Sequence, residues 1–175
     1  MPKALNNRPF GPFVQTAYLV SDLKAAAQRW AEDFGAGPFF TLEGIKPEML
    51  GGGDNAASLD HSSAYGQLGD EMIELVVPAN GRTSIFVWPL EALHHRAVFA
   101  TDYEDALAWF EAKGMAHRAS ASVNGMPFAF VDATHQLGHF VEVYPQSDAL
   151  EGFYAMVRGA ADGWDGGDPV RPITL

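Results

Sequence analysis

Apolar and polar positions change period several times along this chain, and each change marks an element boundary. FVQTAYLV (residues 13–20) is β-branched and aromatic with no Gly or Pro, which predicts a strand. Ser21 and Asp22 then offer a helix cap, and Leu23, Ala26, Ala27, Trp30 and Phe34 recur at helical spacing until Gly35 and Gly37 stop the run. SSAYGQL, a Gly69-Asp70 turn and EMIELVVP predict a hairpin ending at Pro78. The same grammar then returns. HHRAVFA (94–100) predicts a strand, Asp102 a cap, and YEDALAWFEAK a helix closed by Gly114. MPFAFVD, the connection ATHQLG and HFVEVYP predict a second hairpin ending at Pro145.

Each half therefore reads as strand, helix and about three further strands, a duplication within one chain. The registers agree: seven positions before the capping aspartates Asp22 and Asp102 stand Gln15 and His95, each followed two residues later by alanine (Ala17, Ala97). The expected organisation is a first module over residues 12–79, a linker over 80–92, a second module over 93–147, and a C-terminal helix and tail over 148–175. All of it belongs to one compact α+β domain. The first half carries about a dozen extra residues, which fall in 42–60. Its triple glycine and Pro47 predict a long loop of the kind that often serves as a lid.

One feature of the pattern resists a packing explanation. Glu74 sits inside IELVVP and Glu142 inside HFVEVYP, and an unpaired carboxylate buried in a strand costs several kcal/mol or more. Glu142 is either solvated, paired with an arginine such as Arg96 or Arg118, or bound to a metal. Strand alternation puts Gln15, Ala17 and Leu19 on one face, and His95, Ala97 and Phe99 on one face. Met72, Glu74 and Val76 share a side, as do Phe140, Glu142 and Tyr144. With helices covering one side of each sheet, Gln15, Glu74, His95 and Glu142 converge on a common interior. Two carboxylates, an imidazole and an amide suit a divalent ion: Zn, Ni, Co, Mn or Fe.

Composition narrows the picture. The formal charge is −11, with 11 Lys and Arg against 22 Asp and Glu, so there is no basic footprint for nucleic acid or an anionic membrane. No cysteine is present, which removes disulfide, thiolate and zinc-finger chemistry. No apolar run reaches a membrane span and no secretory signal opens the chain, so a cytoplasmic location is expected. His94 is expected as an exposed neighbour of His95 or a group that orients it. His61, His117, His135 and His139 are expected mostly on the surface or in loops.

QTAYLVSDLKAAAQRW with GAGPFF, then IELVVP, LHHRAVFATDYEDAL and LGHFVEVYP, resemble the vicinal oxygen chelate superfamily in the right order over residues 13–145. That superfamily includes glyoxalase I, methylmalonyl-CoA epimerase, extradiol dioxygenases and bleomycin-resistance proteins. The resemblance implies paired βαβββ modules forming a curved mixed sheet around a metal cavity. It implies ligands at Gln15, Glu74, His95 and Glu142, and proton transfer by Glu142 or Glu74. The first ligand position is commonly histidine in the family, and Gln15 is a weaker donor for first-row metals. The resemblance implies a metal-dependent isomerase, epimerase or lyase that acts on a carbonyl compound through an enolate, in a homodimer. A binding protein without turnover is the alternative, and an extradiol dioxygenase ranks third because Gln15 removes a histidine. The aromatic inventory points to an apolar or aromatic small-molecule substrate.

Overall fold

A computed structural model describes residues 7–52, 58–79 and 84–174. The first half contains β1 (Phe10–Leu19), α1 (Leu23–Phe34), β2 (Phe39–Ile45), β3 (Glu48–Gly51), β4 (His61–Leu68) and β5 (Glu71–Pro78). After a 3-10 turn at Ser84–Phe86 come β6 (Ala92–Ala100), α2 (Tyr103–Glu111), β7 (Ala116–Val123) and β8 (Met126–Asp132). Then follow a single turn α3 (Thr134–Leu137), β9 (Phe140–Pro145), α4 (Asp148–Ala161) and β10 (Val170–Pro172). Ten strands form one mixed sheet in the order β10-β2-β4-β5-β1-β6-β9-β8-β7-β3. β1 runs parallel to β5 and β6 parallel to β9, while β1 and β6 meet antiparallel at the centre. The two βαβββ modules are thus joined back to back about a pseudo-twofold axis.

The capping chemistry does what the pattern predicts. Asp22 Oδ1 accepts from the Ala25 amide at 2.8 Å, and Asp102 Oδ1 from the Asp105 amide at 2.9 Å. Gly35 ends α1 in the left-handed region, at φ 67°. α1 and α2 cover one face of the sheet. Ala26 and Ala27 of α1 pack on Ile73 and Leu75, while Ala106, Leu107 and Phe110 of α2 pack on Val141 and Val143. In β5 and β9 the alternate residues Glu74 and Glu142 are therefore driven to the other, inner face.

The region predicted as a long loop is partly strand. Residues 42–45 belong to β2 and 48–51 to β3, and the remaining lid expectation falls on 53–57, outside the described residues. β3 does not stay with its own half: it pairs antiparallel with β7, at the far edge of the sheet. Only Lys46 and Pro47 separate β2 from β3, a link spanning at most roughly 11 Å. The sheet must therefore curl until its two ends nearly meet, and a cavity is left inside. Gly52 permits that closure. A Cβ there would stand 2.6 Å from Ala119 Cα and 2.7 Å from the Arg118 carbonyl oxygen, and its φ of +119° is also a glycine conformation. The C-terminal stretch adds two things: α4, which packs on β4 and β5, and β10, which pairs with β2.

Candidate metal centre

The centre of the inner face is built on two alanines. Ala17 in β1 is flanked by Glu74 on one side and His95 on the other, and Ala97 in β6 by Gln15 and Glu142. Both alanines are fully buried. Their methyl groups leave room for four longer neighbours to lean inward over the sheet. Gln15, Glu74, His95 and Glu142 all line one cavity of about 340 Å³, at 1, 5, 2 and 5% exposure.

Three of the four come together as potential ligands. Oxygens of Glu74 and Glu142 and a ring nitrogen of His95 all lie within 4.8 Å of one another. His95 Nε2 is 3.0 Å from Glu142 Oε2 and 3.3 Å from Glu74 Oε2, yet it makes no well-directed hydrogen bond with either. A metal bound at about 2.1 Å would hold its ligand atoms about 3.0–3.4 Å apart, so this orphaned nitrogen stands at ligand–ligand spacing from each of the two oxygens. The residues fit a divalent ion. Gln15 lies beside them. Its Oε1 is 3.3 Å from the Tyr144 hydroxyl and its Nε2 3.5 Å from Met72 Sδ, so its amide oxygen has no strong competing bond.

The second layer fixes protons. Burial pushes the Glu74 carboxyl up, but the contact with His95 and its charge outweigh this and hold it below the usual carboxylate range. Ser63 Oγ donates to Glu74 Oε1 at 2.7 Å. The Tyr144 hydroxyl donates to Glu142 Oε2 at 2.7 Å. Burial alone would lower the pKa of His95, but the Glu142 charge and the close oxygens of both glutamates push it up to about 9.

Of the two expectations for His94, the exposed neighbour fails and the group that orients His95 holds. His94 is fully buried, because β6 carries a bulge opposite Ala17 and Tyr18 that brings both imidazoles to the inner side. Its Nε2 lies 2.7 Å from the Ile85 carbonyl, which can only accept, so that nitrogen carries the proton. Burial and the charge on His95 push the His94 pKa down to about 3, so the ring is neutral and its Nδ1 is an acceptor. His95 Nδ1, 2.8 Å away, must then donate to it, which leaves His95 Nε2 to face the carboxylates. Strict two-residue alternation hid this relay, since a bulge is invisible to it.

Other residues were also misplaced by pattern alone. His61 lines the cavity, its Nδ1 donating to the Leu59 carbonyl at 2.6 Å, and His139 is buried with Nδ1 2.7 Å from the Phe140 carbonyl. His117 is half-buried in β7 and meets Ser120 Oγ at 2.7 Å, while His135 is exposed, as expected. Arg96 does not pair with Glu142; it binds Glu71 at 2.8 Å on the far face, where Thr16 also donates to Glu71. Tyr144 was detectable as the i+2 neighbour of Glu142. Tyr154, on α4, was not, because nothing local ties that helix to the cavity.

The description Glyoxalase/Bleomycin resistance protein/Dioxygenase superfamily belongs to a family model that matches residues 14–130, more than half of the chain. The chain belongs to that superfamily. No curated protein matches it. Among solved structures, methylmalonyl-CoA epimerase from Mycobacterium tuberculosis is similar at 13% identity and TM-score 0.58, over 85% of this chain and 96% of that one. A hypothetical protein from Bacillus halodurans gives 16% and 0.54 over 78% and 95%. A Streptomyces coelicolor methylmalonyl-CoA epimerase variant in complex with 2-nitronate-propionyl-CoA gives 15% and 0.54 over 79% and 99%. At these identities the likeness establishes the vicinal oxygen chelate fold. Among the described residues no helix is long and apolar enough to cross a membrane.

Proposed function

We propose that this superfamily member is a metal-dependent enzyme that moves a proton next to the carbonyl of a small molecule, as an isomerase, epimerase or lyase. The observation that carries the reading is the convergence of Glu74, His95 and Glu142 around an orphaned His95 Nε2. Glu74, His95 and Glu142, with the Gln15 amide oxygen, would hold the ion. When bound, it would supply Lewis acidity that polarises a substrate carbonyl and favours its enolate. The protein side of the reaction divides between the two glutamates. Both Glu74 oxygens are engaged, by Ser63 and by His95, which suits a ligand. Among the described residues Glu142 is engaged through Oε2, so its other oxygen serves as the base that takes and returns the proton. The Tyr144 hydroxyl holds that carboxylate in place, and the apolar cavity walls keep bulk water from the carbanion and suit an apolar or aromatic substrate body.

Gln15, in place of an imidazole, favours a second reading, a binding protein without turnover. The dioxygenase reading would need a second histidine ligand, and both nitrogens of His94 are already committed. The homodimer and the cytoplasmic location stay part of the proposal; sedimentation tests the first and cell fractionation the second.

The test is α-proton exchange. Protein loaded with Mn, Co, Ni or Zn is incubated in D₂O with a panel of ketones, α-diketones and methylmalonyl-CoA, and NMR follows deuterium uptake. Exchange that EDTA abolishes, and that Glu142→Gln slows by about 10²–10⁴, supports the enzyme. Saturable binding of panel members with no exchange under any metal supports the binding protein instead.

A further inference from the structure

The C-terminal helix, which lies outside the matched residues 14–130, contributes to the cavity in a way that bears on ligand choice. Leu150, Phe153 and Tyr154 of α4 line the cavity beside the carboxylates. Tyr154 is 6% exposed, its ring packs edge-on against Phe99 at 5.3 Å, and its hydroxyl makes no well-directed hydrogen bond among the described residues. The Tyr144 hydroxyl is a near neighbour, but no hydrogen bond of good geometry joins the two. A buried hydroxyl with no acceptor costs about 1–3 kcal/mol, and a packed core would replace it with phenylalanine. The residue that carries this unmet donor lines the cavity a ligand would fill.

The rest of the lining defines what can enter. Apolar side chains make up most of it, among them Leu42, Ile45, Val76, Phe128 and Phe130. The volume of about 340 Å³ is roughly twice the ~150 Å³ that holds one benzene ring. Glu74 and Glu142 already balance a divalent cation, so an anionic ligand would bring an uncompensated charge against two buried carboxylates. The same two carboxylates, after burial itself, push the phenol of Tyr154 well above its usual pKa, so it remains a donor at neutral pH.

We infer that the cavity binds an uncharged, ring-bearing carbonyl compound rather than a carboxylate or an acyl-CoA, and that the Tyr154 hydroxyl donates a hydrogen bond to one of its oxygens. This rests on the proposed function for the metal contact alone; the ring pocket and the Tyr154 donor stand without it. The probes are 1-phenylpropane-1,2-dione and its near-isostere benzoylformate, in which a carboxylate oxygen replaces the methyl group. In water benzoylformate is the stronger metal chelator, so a reversed preference reports the cavity. Titration followed by intrinsic fluorescence, with Mn-loaded and with EDTA-treated protein, is expected to show the dione bound at least tenfold tighter. Tyr154→Phe should weaken the dione about five- to thirtyfold while leaving the melting temperature of the free protein unchanged or higher. Leu150→Trp should abolish dione binding and keep the Mn-induced rise in melting temperature. Benzoylformate binding as well as the dione, dione affinity unchanged in Tyr154→Phe, or a lower melting temperature in that variant overturns the inference. So does the absence of saturable dione binding to Mn-loaded protein. If Mn gives no thermal shift but Tyr154-dependent dione binding persists after EDTA, the metal reading fails and the ligand assignment stands.

Discussion

The two halves of the molecule share a backbone plan and divide the chemistry unequally. Ala17 with Glu74 and Ala97 with Glu142 occupy equivalent register positions about the β1–β6 junction. Yet Glu74 is held at both oxygens, by a serine on the neighbouring strand and by His95. Glu142 is held at one oxygen, the one shared by Tyr144 and His95. Gln15 and His95, also equivalent, differ more: the first is loosely held, and the second stands at the end of a chain running back to the Ile85 carbonyl. Duplication supplied two copies of one scaffold, and under the proposed function the side chains around each copy suit one half to hold and the other to act.

The largest expected effect comes from closing the space that makes the comparison possible. Ala97→Leu puts a branched side chain between Gln15 and Glu142, and it should remove any metal-induced thermal shift and cost the free protein ~1–3 kcal/mol in denaturant titration. The glutamates come next. Glu74→Gln should weaken metal affinity well beyond what Glu142→Gln does, while the second should suffer the greater loss of proton exchange. Equal losses in both assays for both variants would erase the proposed division of labour.

A smaller effect probes His94. His94→Phe removes the acceptor that fixes the His95 tautomer, and metal affinity by calorimetry should fall about 10–100-fold. His94→Gln, whose amide can donate to Ile85 and accept from His95, should recover most of it. Loss with both variants would reduce His94 to a packing residue.

The smallest effect is a pH dependence. The pKa of His95 in the folded, metal-free chain is raised to about 9 from an ordinary 6.5, so the charged ring stabilises the fold. That stability is fully present below pH 6.5 and is lost as pH rises through about 9. A cation competes with the same proton, so the metal-induced thermal shift should grow across that window. Melting curves with EDTA and with Mn from pH 6 to 9.5 check both slopes; a flat metal-free curve would mean that His95 is not the buried cation.

The amino-acid pattern alone determined the duplicated modules, the capped helices and the inward set Gln15, Glu74, His95 and Glu142, because period and register are local properties that side-chain alternation carries without reference to anything distant. Four things were decided only by tertiary structure. A bulge turned His94 inward, β3 crossed to the opposite edge and curled the sheet, Arg96 chose Glu71 over Glu142, and α4 packed Tyr154 onto β4 and β5, strands that precede it by many tens of residues. Each depends on a contact between segments far apart in the chain, whose energy no local window contains.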